Sequence, residues 1–344
     1  MILLLLVLPL LITAYDRSDI PNNTVNITKI PLEHFRSSSD ITVSGISSGA
    51  YFATQFMIAN SKTVLGAASF SGGPYWCANC NVITASTACM KSPNLISVTE
   101  LVAATHYAAN LLSIDPPRHL KDSKMLIYHP KDDTVVVPGV SKKLEEYVSH
   151  FIPSSNVKTI YDKPGEHAYP TIDYGNSCKF LGDPYINNCK VDGAKEVFDF
   201  LIGPSPQARG QYLESNLFYF DQFDYKPHGV PLSALSMANA GAVYVPTVCQ
   251  HTNTCPLHVV FHGCHQSVSA VGETFIRHSG YCQWAESRNV IVLFPQIIES
   301  PLVPYNPNGC YDFWGYTGAN YATKYGGQMS TVANMVEALS RVRL

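Results

Sequence analysis

Charge is scarce in this sequence. Only 14% of its 344 residues are Asp, Glu, Lys or Arg, and the two signs nearly cancel at −3. A chain that grips a nucleic-acid backbone needs a basic stripe, and neither that footprint nor a zinc-finger or RNP spacing is present. Long apolar runs are missing as well. The apolar stretch at residues 1–14 is too short to cross a bilayer, and no later stretch reaches the roughly 20 apolar residues that a spanning helix needs. There is also no repeat, low-complexity tract or Gly/Ser linker of the kind that marks modular arrays. With 46% hydrophobic residues the chain has ample material for a core. Residues 38–344 are expected to form a single domain.

The short leader fits a signal peptide cleaved near Ala14, although it lacks a positive n-region. Secretion predicts oxidised cysteines, and there are ten. Cys178/Cys189 and Cys249/Cys255 are spaced as loop staples, while the full connectivity stays open. Residues 15–37 form a polar segment with glycosylation sequons at Asn22 and Asn26. The expectation is a secreted, monomeric glycoprotein with no stable membrane insertion and no nucleic-acid partner.

Patterning predicts strands at residues 41–43, 64–70, 125–128, 157–161, 217–220, 242–245, 257–261 and 290–294. Helical spacing falls at 50–59, 98–112, 140–151, 193–202, 273–288 and 328–341, and residues 77–89 read as a loop-rich excursion. Alternating strands and helices argue for an α/β fold, a mostly parallel sheet with helices on both faces.

Chemistry concentrates at Gly45-Ile46-Ser47-Ser48-Gly49, between a short strand and a helix. This is the G-x-S-x-G pattern of a nucleophile elbow, in which small neighbours let strand and helix approach a strained serine. Taken alone it also suits a turn or N-cap serine. Partners follow in the order such a hydrolase requires. Asp132 and Asp133 follow the 125–128 strand, with the spacing leaving either possible, and His167 follows the next strand. His167 would take the Ser47 proton while the acid fixes its tautomer.

An oxyanion hole would draw one N–H from Ser48 and a second from an HG-type loop. The HG pattern here, His262-Gly263, sits after all three triad candidates rather than before them. Either the match is accidental or the chain is circularly permuted. His262-x-x-His265 and Cys77-x-x-Cys80 have ligand-like spacing, but no second half follows either pair, so neither metal nor cofactor is expected.

Five segments together resemble the secreted poly(3-hydroxybutyrate) depolymerases of the single-domain, circularly permuted α/β-hydrolase type. They are Ser-Gly-Ile-Ser-Ser-Gly-Ala (44–50), Asp-Thr-Val-Val (133–136), Glu-His-Ala-Tyr-Pro-Thr (166–171), Phe-His-Gly-Cys-His-Gln (261–266) and Asn-Pro-Asn-Gly-Cys-Tyr-Asp-Phe-Trp-Gly-Tyr (306–316). The resemblance implies Ser47 as nucleophile, Asp133 as acid and His167 as base. It implies the amides of Ser48 and Cys264 as oxyanion hole, and Trp314, Tyr311 and Phe313 as lining of a polyester crevice. Pro130 stands where a glycine is common, and Cys-Tyr-Asp-Phe replaces a Cys-Trp-Asp-Trp stretch. The expected function is hydrolysis of a short-chain hydroxyalkanoate polyester through an acyl-serine. Its rivals are a carboxylesterase for small esters such as feruloyl esters, and a secreted binding protein that has lost turnover.

Overall fold

The computed structural model describes residues 29–344, so the leader and both sequons lie outside the described residues. The first half of the chain lays down β1 (Ile41–Ile46), α1 (Ser48–Ala59), β2 (Val64–Phe70), α2 (Val82–Ser86), α3 (Val98–Asn110), β3 (Lys124–Tyr128), α4 (Pro138–Val148) and β4 (Val157–Ile160). Three short strands follow, β5 (Tyr169–Thr171), β6 (Asn176–Ser177) and β7 (Ile186–Asn188), then α5 (Gly193–Leu201). The remainder gives β8 (Leu217–Asp221), β9 (Ala240–Tyr244), β10 (Leu257–Phe261), α6 (Val268–Val271), α7 (Thr274–His278), α8 (Tyr281–Arg288), β11 (Ile291–Phe294) and α9 (Gly327–Ser340).

Eight strands form one sheet in the order β4-β3-β2-β1-β10-β11-β9-β8, while β5, β7 and β6 make a small separate sheet. Only the pairings made by β9 are antiparallel in the large sheet. If the chain is read from β8 round through β11 and on from β1, the spatial order becomes 1-2-4-3-5-6-7-8. That is the α/β-hydrolase sheet, entered at its fifth strand. The junction is close-packed, as a permutation requires: Ser37 N–H donates to Leu339 O at 2.9 Å and Arg341 Nη2 to Glu33 O at 3.2 Å.

Successive strand residues feed opposite faces, following the two-residue period of the pleat. Met125, Ile127, Val259, Phe261, Ile291 and Leu293 pack with α1, α3, α4 and α9. Their neighbours Leu126, Tyr128, Val260, Val292 and Phe294 pack with α5, α7 and α8. Strands buried on both faces read as continuous apolar runs, which is why these were legible.

One expected helix is broken. The 273–288 segment forms α7 and α8 rather than a single helix, because Gly280 has φ +93° and ends the first before opening the second. Residues 77–89 also hold a short helix, α2, capped by the Asn81 side chain, which accepts from Ile83 and Thr84 N–H.

Candidate active site

The carboxyl ends of β1, β3, β4 and β10 open onto one edge of the sheet, where ligands of parallel α/β folds bind. Ser47 stands between the end of β1 and the start of α1 with φ 55° and ψ −123°, a conformation that costs a side-chain-bearing residue about 1–3 kcal/mol. Its N–H is pinned to Phe70 O at 2.9 Å. The flanking glycines are steric necessities. A Cβ on Gly45 would lie 2.2 Å from Gly49 O, and one on Gly49 would lie 2.3 Å from Phe261 O.

Asp133 and His167 meet on the loops after β3 and β4, with His167 Nδ1 2.8 Å from Asp133 Oδ2. The carboxylate is saturated with donors. Oδ1 accepts Val135 and Val136 N–H at 2.9 Å each, and His129 Nε2 lies 3.3 Å from Oδ2. Burial alone would raise the Asp133 carboxyl. The charge of His167 and the hydrogen bonds from His129 and His167 outweigh it and hold the group well below the usual carboxylate range. Asp132 is placed differently: its Oδ2 accepts Gly165 N–H at 3.2 Å, and it bonds no histidine among the described residues.

Ser47 and His167 line one cavity of about 260 Å³, without a direct hydrogen bond between them among the described residues. Gly263 and Cys264 line the same cavity. His262 sets the peptide between them. Ile297 N–H donates to His262 Nε2 at 3.2 Å, leaving Nδ1–H to donate to Gly263 O at 2.7 Å. In a trans peptide the N–H points opposite to the C=O, so Cys264 N–H is turned away from the ring. Neither Ser48 N–H nor Cys264 N–H has a hydrogen-bond partner among the described residues. With both nitrogens engaged, His262 offers no lone pair to a metal. No cluster of three or more His, Cys, Asp or Glu side chains suited to an ion occurs among the described residues.

A second cavity of about 290 Å³ also reaches Ser47 and is walled by Tyr51, Val82, Met90, Phe313 and Trp314. Tyr311 does not line it, which corrects the expectation from sequence. Its ring is fully buried against Phe52 and Phe261, and its hydroxyl donates to Pro295 O at 2.6 Å. Tyr311 supports the wall from behind. Asp312 shapes the wall: its Oδ1 accepts Trp314, Gly315 and Tyr316 N–H, and its Oδ2 accepts Thr317 N–H and hydroxyl. Two disulfides frame this cavity, Cys264–Cys310 between the HG loop and the aromatic loop, and Cys77–Cys89 across the flap that carries α2. Cys178–Cys189 and Cys249–Cys255 complete the set, and Cys80 and Cys282 are free.

Known proteins with this arrangement are identifiable. No family model matches the chain. Over 304 residues it is 38% identical to a poly(3-hydroxybutyrate) depolymerase of Delftia acidovorans, covering 87% of this chain and 59% of that protein. Over 329 residues it is 32% identical to a polyhydroxybutyrate depolymerase of Talaromyces funiculosus, covering 92% of this chain and 93% of the relative. The chain belongs to the polyhydroxybutyrate depolymerase family. It spans about three fifths of the Delftia protein and nearly the whole of the fungal depolymerase. The crystal structure of the PHB depolymerase from Penicillium funiculosum matches with a TM-score of 0.81 and 31% identity, over 92% of this chain and 100% of that one. A serine-to-alanine variant of a PHB depolymerase complexed with an R3HB trimer matches at 0.82 with the same identity and coverage.

Within this depolymerase-family site, sequence reasoning missed several participants. His129, Glu166 and Asp312 are buried polar residues whose importance lies in what they hold, while Val82 comes from the segment read as a loop and Met90 from just beyond it. The available signal was the short apolar run between Cys77 and Cys89, two cysteines spaced to clamp it.

Proposed function

We propose that this chain is a secreted serine esterase that cleaves poly(3-hydroxybutyrate), or a related short-chain hydroxyalkanoate polyester, through an acyl-Ser47 intermediate. The observation that carries the reading is the Asp133–His167 bond at 2.8 Å beside a Ser47 held on a strained elbow. In this reading His167 removes the Ser47 proton as Oγ attacks the ester carbonyl, while Asp133 fixes the Nδ1–H tautomer. The oxyanion forms against Ser48 and Cys264 N–H, each donor of this type contributing about 2.7–4 kcal/mol to the barrier reduction. His167 then protonates the departing alkoxide oxygen, which leaves as the hydroxyl end of the product, and water attacks the acyl-serine by the same route.

Polyester as substrate is supported by the apolar wall of Tyr51, Val82, Met90, Phe313 and Trp314, which suits methyl-bearing repeat units. The relatives' names point the same way. Export is supported by four disulfides, and among the described residues no helix is long and apolar enough to cross a membrane. We take the active form to be a monomer that needs no cofactor.

The deciding experiment compares wild type with Ser47→Ala on a poly(3-hydroxybutyrate) suspension and on a nitrophenyl butyrate. Clearing of the suspension by wild type alone is the expected result. Cleavage restricted to the small ester would leave the mechanism and remove the polyester. Retained turnover of either substrate in Ser47→Ala would remove the mechanism.

A further inference from the structure

The Asp133 and His167 loops leave the paired strands β3 and β4, and their backbones go on zipping together beyond the sheet. Lys131 N–H donates to Lys163 O at 3.0 Å and Asp132 N–H to Gly165 O at 3.2 Å, while Gly165 N–H returns to Asp132 Oδ2. The zip ends at Glu166, whose buried side chain lies between the two loops. Its carboxylate accepts Thr134 N–H at 2.9–3.0 Å, the Thr134 hydroxyl, and His167 N–H at 2.8 Å. The residue after the acid and the base itself therefore hang from one carboxylate. Its recorded partners are backbone N–H groups and a hydroxyl, with no Lys or Arg paired to it among the described residues.

We propose that Glu166 is a positioning residue that sets the Asp133–His167 pair, an inference that rests on the triad reading above. Two oxygens on one rigid carboxylate fix the spacing of the two N–H groups they accept, and so the reach of Asp133 to His167 Nδ1. Asp132 makes the reciprocal bond one step earlier but touches neither member of the pair. The clamp acts on geometry and leaves the chemistry to Ser47, His167 and Asp133.

Glu166→Leu tests this. The isobutyl group keeps most of the volume but accepts nothing, so Thr134 N–H and His167 N–H both lose Oε2, the oxygen they share. A displacement near 1 Å at the reacting groups costs on the order of 10²-fold. Turnover of nitrophenyl butyrate is measured per Ser47 titrated with a fluorophosphonate, so that unfolded protein is not counted. The expected result is kcat down by about 10- to 100-fold with KM little changed. Glu166→Asp keeps the charge but falls one methylene short, so an intermediate kcat is expected. If the Leu variant is not recovered folded, the Asp variant carries the test alone. Wild-type kcat per titrated site in the folded variants overturns the proposal. Turnover surviving in Ser47→Ala would instead overturn the triad reading, and this inference with it.

Discussion

Asp133→Asn changes one atom and reverses the logic of the base. In wild type, Oδ1 accepts two backbone N–H groups at 2.9 Å, from Val135 and Val136, and Oδ2 faces His167 Nδ1 at 2.8 Å. The backbone donors cannot turn, so the asparagine oxygen must occupy the Oδ1 position and its NH₂ the Oδ2 position. That NH₂ donates to His167 Nδ1 and leaves the ring proton on Nε2, pointing into the site where the Ser47 proton has to be received. His129 Nε2, already donating to Val136 O at 2.8 Å, also meets a donor where it had a carboxylate. A wrong tautomer with intact geometry costs about 10⁴ in kcat, or about 5 kcal/mol of transition-state stabilisation. The assay is nitrophenyl butyrate hydrolysis per titrated serine, with Asp132→Asn beside it. At Asp132 the only side-chain bond at stake is the 3.2 Å one from Gly165 N–H, which the asparagine oxygen can still accept, so activity falls by no more than about fivefold. Activity of Asp133→Asn above about a tenth of wild type would refute the reasoning, as would an Asp132→Asn variant that is the more damaged of the two.

Two further outcomes follow from the scaffold. The Cys264–Cys310 bridge spans 46 residues and Cys249–Cys255 spans 6; loop-closure entropy gives about 4 and about 2 kcal/mol respectively. Guanidinium unfolding of the two double-alanine variants is expected to follow that order, and the reverse order would refute the entropic account. His258 and His262 are buried and neutral, with burial pushing them down to about 3 and about 4 from an ordinary value near 6.5. The unfolded chain binds protons at these sites first, so stability is lost as pH falls from about 6.5 toward 4. Between pH 7 and pH 5 each contributes a loss of about 2 kcal/mol, read as a falling denaturation midpoint with an unchanged m-value. A midpoint that stays flat over that window would contradict the buried neutral histidines. Asp133, with its depressed carboxyl, adds its own loss only at lower pH, once the unfolded carboxylate range is passed.

How much of this was readable depended on whether a feature is enforced locally. The elbow was legible because Gly45 and Gly49 are the only residues that fit, the second against the β10 carbonyl Phe261 O. Strands buried on both faces announced themselves by continuous apolar runs, and the late HG loop raised the permutation that the strand order displays. Tyr311 shows where local reading ends. Tyr311, Phe313 and Trp314 look alike as an aromatic cluster in the sequence, yet the Asp312 side chain gathers the N–H groups of the following turn and so sets where the later rings go. Trp314 reaches the cavity and Tyr311 sinks into the core. Spacing could not choose between Asp132 and Asp133 for the same reason. One residue of offset decides which carboxylate faces His167, and that offset is set by Gly165 and Glu166, some thirty residues away, which bond Asp132 and Thr134. Periodicity can report which face a residue occupies. It cannot report a hydrogen bond between two loops, and at this site such bonds decide which carboxylate meets His167.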